Sequence, residues 1–492
     1  MNSKNATPKY SLFRNWLSLI GLVVTLGSLF SFALLLTFDA LSPEASPYLG
    51  ILTFVVSPMF LVFGMLLIAL GWLMHRRQVH KSLPGSPPPF LQIDFTRARD
   101  RRNLAVFFAG GLVFLLFAAM GSYHTYHFAE SEMFCGQICH PPMKPEYTAY
   151  TNSPHARVAC TACHVGPGPT SFVKAKLNGV NQLQATLRNT YHRPIKTPIE
   201  GMRLAQETCE KCHWPKKFVG NLDRTYTRFL SDDDNTPVTI RLSLKVGGGD
   251  PTHGPVGGIH WHMNLGNKVE YIATDEKRQV IPWVRLTNTK GEVTEFRTKN
   301  FKDDPAQHTI RRMDCMACHN RPAHHFRAPG DAVDLAMSTG KIDPKLKAIK
   351  KNAVEVLSQD YATEAEALSK IAASLKTNYV NAANLDASIA AVQQIYRQNI
   401  FPEMKASWKV YPDNIGHKNW AGCFRCHDGQ HKTADGKSAI GSSDCNDCHT
   451  VISQVKGSMT DPLEGKRAKF EHPDAASDGT ERDCTTCHSV SQ

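Results

Sequence analysis

The sequence predicts a mostly α-helical protein with sparse secondary structure, in which an N-terminal membrane anchor precedes a domain rich in Cys/His motifs. Three observations predict this class: long uncharged apolar runs, a regular series of cysteine pairs, and one stretch in which apolar residues alternate with polar ones. At 492 residues the chain is long enough for more than one domain.

The apolar runs predict three N-terminal transmembrane helices, at 15–38, 48–74 and 103–123. The first run, Trp16–Phe38, is free of charge for 23 residues, and as a helix it is roughly 34 Å long, enough to span a bilayer. A buried helix of a soluble protein is the alternative for any single run. Three runs separated by loops of opposite character favour a membrane anchor over 15–123.

The charges of the connecting segments predict the orientation of this anchor. The tail 1–14 carries three basic residues and the loop 75–102 carries seven, whereas the loop "DALSPEASP" has two acids and no base. The positive-inside rule places the tail and the basic loop in the cytoplasm. The chain after residue 123 then lies in the periplasm of a bacterium, outside the inner membrane. No small-residue cleavage site follows the first run, so we expect it to be retained.

All 14 cysteines fall into seven close pairs, and a histidine directly follows each pair. Six pairs have the spacing C-x-x-C-H, the attachment pattern of haem c, in which the thiols bond to the porphyrin and the histidine ligates the iron. Zinc ribbons need no histidine after each pair and disulfides need none at all, so we predict seven covalently attached haem c groups. The cysteines are Cys135, Cys139, Cys160, Cys163, Cys209, Cys212, Cys315, Cys318, Cys423, Cys426, Cys445, Cys448, Cys484 and Cys487. The proximal histidines are His140, His164, His213, His319, His427, His449 and His488.

The first motif is wider than the others, because three residues separate Cys135 from Cys139. The extra residue lets the loop bulge and still reach both vinyl groups. Met143 stands three residues after His140, so its thioether could ligate the first iron and raise the potential relative to bis-histidine ligation. The alternative is a methionine that only packs against the porphyrin.

The net charge of +12 first suggests a nucleic-acid ligand, but its distribution argues against one. Residues 1–103 hold half of the excess, with 10 Lys or Arg and 4 Asp or Glu. Each oxidised haem adds about −1 when its iron, porphyrin and both propionates are counted, so the haem-bearing part is near neutral. We therefore expect no nucleic acid among the partners.

The outer part divides into four predicted segments. A haem domain with three motifs covers 124–219, and a small β insertion with strands such as "TIRLSLKV" and a Lys-Gly hairpin turn covers 220–312. The fourth motif opens the segment 313–400, whose apolar spacing predicts two or three helices. Three motifs occupy a loop-rich end at 401–492. The predicted fold class is thus three transmembrane helices plus a multihaem c domain with a small β insertion.

Bis-histidine ligation is the expected arrangement for electron transfer, because two strong ligands keep the iron geometry fixed. Of the 22 histidines, seven are proximal and two lie in the cytoplasmic loop, which leaves 13 candidates. We expect His253, His260 and His262 to be surface or propionate-bonding residues. His124 and His127 are expected at the membrane face, where they either ligate the first haem or only contact it. The predicted distal ligands are His155, His192, His308, His324, His325, His417, His431 and His472.

Residues 100–215 resemble the NapC/NirT/NrfH family of membrane-anchored quinol dehydrogenases. The resemblance is carried by the apolar run before the first motif, the nearby methionine, "EYTAYTNSPHARVACTACHVGPG" and "KAKLNGV". It implies a first haem beside a quinol pocket at the outer membrane face, Met143 on its iron, and His155 as distal ligand of another haem. It also implies that Lys176, twelve residues after His164, lies at the quinol site.

The chain departs from the usual family pattern in its three predicted spans, its seven motifs and its widened first motif. Gln182 and Gln184 stand in the region where the family has an acidic residue after the lysine, so Gln182 joins Lys176 in the candidate quinol site. The seven-haem, three-span form resembles inner-membrane cytochromes of metal-reducing bacteria.

The resemblance implies a quinol dehydrogenase that oxidises menaquinol and passes electrons to periplasmic c-type cytochromes, in anaerobic or metal respiration. Membrane lipid, menaquinol and those cytochromes are the expected partners, with an oligomer or larger complex left open. One alternative is an electron-relay subunit of a quinol-oxidising complex, which the two extra spans favour. Another is a multihaem terminal reductase, for which no C-x-x-C-K motif is present.

Overall fold

A computed structural model describes residues 15–41, 56–81, 96–102, 104–106, 108–111, 120, 124, 128, 131–138, 142–165, 178–179, 181–182, 184–199, 203–248, 257–263, 266–441 and 445–460. The chain forms two compact units. The first contains Met1–Cys135 with Cys160–Arg188, and the second contains Gly136–Ala159 with Asn189–Gln492.

Two long apolar helices, α1 (Trp16–Leu41) and α2 (Ser57–Lys81), belong to the first unit. Their windows Trp16–Ala33 and Ser57–Arg77 have mean hydropathies of 1.9 and 2.0, and only 17% of each is buried within the protein. This exposure distinguishes them from helices of a soluble core and fits contact with lipid. Two candidate spans therefore stand among the described residues, whereas the third predicted span, 103–123, lies mostly outside them.

Small residues let α1 and α2 approach closely. A Cβ on Gly21 would lie 2.7 Å from the backbone oxygen of Gly64, and a Cβ on Gly71 would lie 2.4 Å from Ser18 Oγ. The Asn15 side chain donates a hydrogen bond to the Gly71 carbonyl at 3.0 Å. Glycine and serine at the contact are typical of helix pairs in membranes, where close backbone packing holds helices together.

Helix accounts for about 46% and strand for 13% of the structure, in agreement with a mostly α fold. Later helices among the described residues are α3 (Lys144–Thr151), α4 (Cys160–His164), α5 (Ala205–Thr208), α6 (Cys315–Cys318), α7 (Pro329–Ser338), α8 (Ile349–Ser358), α9 (Glu364–Asn378) and α10 (Leu385–Asn399). The strands are β1 (Leu222–Phe229), β2 (Pro237–Leu244), β3 (Lys268–Ile272), β4 (Trp283–Thr287), β5 (Val293–Arg297), β6 (Arg311–Arg312), β7 (Ile400–Phe401), β8 (Ala406–Ser407) and β9 (His449–Lys456).

Six of these strands lie where the β insertion is predicted, and they contribute to two antiparallel sheets of order β1-β2-β9 and β5-β4-β3-β6. The predicted Lys-Gly turn joins β4 to β5, and Gly291 adopts φ +80° there, a conformation that favours glycine. The insertion is not self-contained, however. Strand β9 comes from the C-terminal segment and pairs with β2, with Leu242 opposite Val451.

The segment after the fourth motif forms four helices, α7 to α10, where two or three were predicted. The difference arises because Gly340, at φ +72°, ends α7 before α8 begins. The helices bury a common core, and in α9 the inward positions Ala367, Ile371 and Leu375 follow the helical repeat at four-residue spacing. The helices therefore pack against one another.

An ionic network joins this helical core to the first sheet. The buried Asp334 pairs with Lys350 and accepts a hydrogen bond from the Phe229 backbone N–H at 3.0 Å. Asp331 in the same helix pairs with Arg228 and accepts a bond from Lys418 Nζ at 2.7 Å. Burial opposes ionisation of Asp331, but these two cations hold the pKa of its carboxyl well below the usual range.

Candidate haem-binding sites

Three of the described motifs share the same helical turn. In 209–213, 315–319 and 423–427 the histidine N–H donates to the carbonyl of the first cysteine, at 2.8, 2.7 and 3.0 Å. Such a turn brings residues i, i+3 and i+4 to one side, so the two thiols and the imidazole of a motif share a face. Asp314 begins one of these turns, because its carboxylate accepts from the first free N–H groups of α6.

The thiols of the described motifs lie on the same side of the turn as the motif histidine. None of the described cysteines is joined in a disulfide. Among the same residues, no group of three or more His, Cys, Asp or Glu side chains converges as a tetrahedral zinc site requires. Two thiols and an imidazole on one side of a turn are what covalent haem c requires.

The widened first motif adopts a π-helical turn, Phe134–Ile138. A π-turn takes one more residue than an α-turn, so it absorbs the extra residue of the C-x-x-x-C spacing. Gly136 is needed in this turn, since a Cβ there would lie 2.0 Å from the Tyr147 ring. Gln137 also donates to the Tyr147 hydroxyl at 3.2 Å. Cys139 and His140 lie outside the described residues.

Four motif histidines each face a second histidine, and the distance between the two ring centres is similar in all four pairs. A nitrogen ligand lies about 2 Å from its metal, so two imidazoles on opposite sides of one iron have ring centres about 6 Å apart. The observed pairs and centre distances are His213 with His155 (6.1 Å), His319 with His260 (6.4 Å), His427 with His262 (5.9 Å) and His449 with His417 (6.4 Å). All four pairs have the separation of bis-histidine haem ligation.

The hydrogen bonds of these rings leave Nε2 for a metal. In three of the pairs, the histidine that faces the motif histidine donates its Nδ1–H to a backbone carbonyl. These histidines are His155, His260 and His262, with distances of 3.2, 2.6 and 2.9 Å. The proximal His427 donates in the same way to Gly441 O at 2.8 Å. A carbonyl on Nδ1 fixes the tautomer in which Nε2 carries the lone pair, as haem ligands require.

Burial also favours the ligating form of several rings. Desolvation lowers the pKa values of His262, His319, His417 and His449 below that of a free imidazole. These side chains therefore stay neutral near pH 7, and only a neutral imidazole binds iron. The Nδ1 atoms of His417 and His449 are buried without a hydrogen-bond partner among the described residues.

Tyr150 in α3 positions His155. Its hydroxyl hydrogen bonds to the carbonyls of Ala156 and Val158, both at 3.0 Å, and so closes the loop that carries the histidine. The loop after α3 is thereby held in the shape that points His155 at His213. Tyr150, the second tyrosine of "EYTAYTNSPH", therefore stabilises the loop that carries His155.

Arg321, two residues after the fourth motif, forms an ion pair with α3. Its side chain is only 8% exposed and donates two bonds to Glu146, at 3.1 and 2.9 Å. The guanidinium also lies 4.2 Å from the centre of the Tyr411 ring and 5.0 Å from that of Phe326. The carboxylate and the two aromatic rings together fix the position of this buried cation, so Arg321 holds α3 next to the fourth motif.

Successive motifs lie side by side. The thiol of Cys315 hydrogen bonds to that of Cys209, which lowers the pKa of Cys209 to about 6 and raises that of Cys315. A contact of the same kind with Cys135 raises the pKa of Cys160. The fourth and fifth motifs also touch, since Arg425 donates to Ala317 O at 2.9 Å. The first and second, third and fourth, and fourth and fifth motifs are therefore neighbours.

The other predicted distal ligands among the described residues make contacts with protein groups. Both ring nitrogens of the buried His431 are occupied, by Asp428 at 2.8 Å and by the Ile281 carbonyl at 2.6 Å. His308, His324 and His325 each have one nitrogen bonded to a carboxylate, at 3.0, 3.2 and 3.0 Å. His192 is exposed. Their ligand roles stay predictions, as does that of His472, which lies outside the described residues with Cys484, Cys487 and His488.

The candidate quinol site is only partly described. Lys176 lies outside the described residues. Gln182 is exposed on a short helical stretch, where its backbone oxygen accepts from Thr186 at 2.8 Å. Met143 is half-buried directly before α3. The quinol-site roles of Lys176 and Gln182 and the ligand role of Met143 therefore stay predictions.

The motif turns, the facing imidazoles and the two apolar helices together define a membrane-bound c-type cytochrome. Residues 97–207 match the N-terminal region of the NapC/NirT cytochrome c family. The chain belongs to this family, whose members carry covalently bound haem c and transfer electrons. It is 40% identical to cytochrome c-type protein ImcH of Geobacter sulfurreducens, across 96% of this chain and 95% of that protein. No solved structure matches it.

Proposed function

We propose that this protein oxidises menaquinol at the periplasmic face of the bacterial inner membrane and passes the electrons through seven haem c groups to periplasmic c-type cytochromes. The process served would be anaerobic or extracellular metal respiration. The observation that carries the proposal is the set of four facing imidazole pairs, because a haem held by such a pair would transfer electrons and leave its iron no open position for a substrate. Family membership supports quinol as the electron donor.

We further propose that the anchor crosses the membrane three times. The helical conformation of the described residues between 98 and 111 supports a third helix over 103–123. The seven basic residues of 75–102 belong on the cytoplasmic side. An odd number of spans then delivers every haem motif to the periplasm, where haem c is attached.

Quinol oxidation releases two electrons and two protons, and the chain handles them separately. Covalent haem supplies the one-electron carriers. In this proposal Lys176 hydrogen bonds to a quinol oxygen and stabilises the negative charge left when the proton departs, while Gln182 lies near the same oxygen. Met143 occupies the membrane-side position of the first motif. Both protons leave to the periplasm, and the electrons move one at a time along the imidazole-paired sites.

The test uses the full-length protein in lipid vesicles, supplied with a soluble menaquinol analogue. Haem reduction, followed by absorbance, should occur without any other subunit. Lys176→Ala should slow it by about 10- to 100-fold, the cost of one hydrogen bond to a charged group. Lys174→Ala, two residues away on the same stretch, should leave the rate unchanged.

Two outcomes would overturn the proposal. Reduction only in the presence of a second membrane protein would make this chain a relay subunit. Turnover of nitrite or hydroxylamine would instead indicate a terminal reductase with an open iron.

A further inference from the structure

The short 3₁₀ turn Ile259–Met263 carries two histidines that face two different motifs. His260 faces His319 with the rings within 6° of parallel, whereas His262 faces His427 nearly edge-on, at 84°. A 3₁₀ turn has three residues per turn, so side chains at i and i+2 point about 120° apart. The two imidazoles therefore diverge and cannot bind one metal together.

Trp261, between the two histidines, packs into the cluster that joins the same two motifs. This cluster contains Ala317 from the fourth motif and Cys426 from the fifth, together with Tyr271 of β3 and Ile281. The tryptophan thus anchors the turn at the point where both motifs meet. Its ring lies 5.8 Å from that of His262, in an edge-to-face contact.

The backbone of the turn is pinned to the chain that follows β2. Ile259 N–H donates to Lys245 O at 2.8 Å, and His260 N–H donates to Gly247 O at 3.1 Å. Gly248 has φ +127° and Gly258 has φ +84°, and a Cβ on either would lie within 2.4 Å of backbone atoms across this contact. Only glycine allows the two segments to approach so closely.

We propose that the His260-Trp261-His262 turn supplies the distal axial ligands of two separate haems, those attached at Cys315/Cys318 and at Cys423/Cys426. The inference rests on the proposed function only for the presence of covalent haem, and not for quinol oxidation. One turn then fixes both irons relative to each other. Trp261 packs against Ala317 and Cys426 of the two motifs, so it would lie close to both attached haems.

The test is carbon monoxide binding by the dithionite-reduced protein, because carbon monoxide occupies an iron that has lost its distal ligand. Compared with the wild type, His260→Ala and His262→Ala should each gain one carbon monoxide-binding haem, and the double variant should gain two. Met263→Leu, on the same turn, should gain none. Added imidazole should restore the low-spin spectrum of each alanine variant. Intact mass should show the full haem content throughout.

Unchanged carbon monoxide binding in both alanine variants, at full haem content, would overturn the proposal. So would a gain of only one site in the double variant, which would mean that the two histidines serve one iron. If an alanine variant loses haem, His260→Met keeps a ligand of similar reach, and one haem should then rise in potential. No shift in that titration would also overturn it. Dithionite replaces quinol throughout, so failure of quinol oxidation leaves these outcomes unaffected.

Discussion

Gly258 holds the His260-Trp261-His262 turn in place, and Gly258→Ala should release both histidines at once. At φ +84° alanine costs about 1–3 kcal/mol in backbone strain. Its Cβ would also lie 2.4 Å from Lys245 O, whereas ordinary contact begins at 3.4 Å, so the turn must move by about 1 Å. A metal–nitrogen bond of about 2 Å does not stretch that far, so the histidines should leave their irons.

The matched control is the neighbouring glycine, since a Cβ on Gly257 would meet nothing within 4 Å. Carbon monoxide titration of the reduced protein measures the effect directly. Gly258→Ala should gain two carbon monoxide-binding haems, and Gly257→Ala should gain none. If Gly258→Ala folds with its full haem content and keeps both sites closed, the turn does not depend on this close approach and the reasoning is refuted.

Three further predictions concern stability and can be measured by denaturant unfolding, followed by far-ultraviolet circular dichroism. Arg321→Met should cost about 3–5 kcal/mol because it strands the buried Glu146 carboxylate, and adding Glu146→Gln should recover part of that loss; additive effects would argue against a coupled pair. Tyr150→Phe should cost about 1–3 kcal/mol and weaken His155 ligation, seen as a new carbon monoxide-binding haem; full retention of the closed site would contradict the positioning role. The folded pKa of Asp331 lies below its unfolded value of about 4, so its stabilisation is complete above that pH and is lost as pH falls below it. Asp331→Asn should flatten the acid limb of the stability profile, and an unchanged limb would refute this.

The haem motifs can be predicted from the sequence because each one is local. Two thiols and a histidine on one helical turn need only five consecutive residues. The strands of 222–312 and the two apolar helices are readable for the same reason, since their periodicity or hydropathy is local. The widening of the first motif is also visible in its spacing, and the part of it that the structure describes forms the π-turn Phe134–Ile138.

The partners of the motif histidines depend on contacts between residues far apart in the chain, which spacing does not reveal. His260 and His262 were expected to be surface or propionate-bonding residues, yet both are partly buried opposite motif histidines. The signal that could have found them is "GGIHWHM", where Gly258 allows close packing and two histidines flank a tryptophan. The number of helices in 329–399 was missed because a left-handed glycine, Gly340, divides the apolar pattern.

Strand β9 begins at His449, the histidine of the sixth motif, and closes a sheet that β2 opens about 200 residues earlier. Pairing β2 with β9 closes a long loop, and loop closure costs conformational entropy. The hydrogen bonds that offset this cost form only when both strands are present. The sheet therefore cannot be completed until the chain has been synthesised as far as β9. We therefore expect haem attachment at the motifs between β2 and β9 to precede the closure of this sheet.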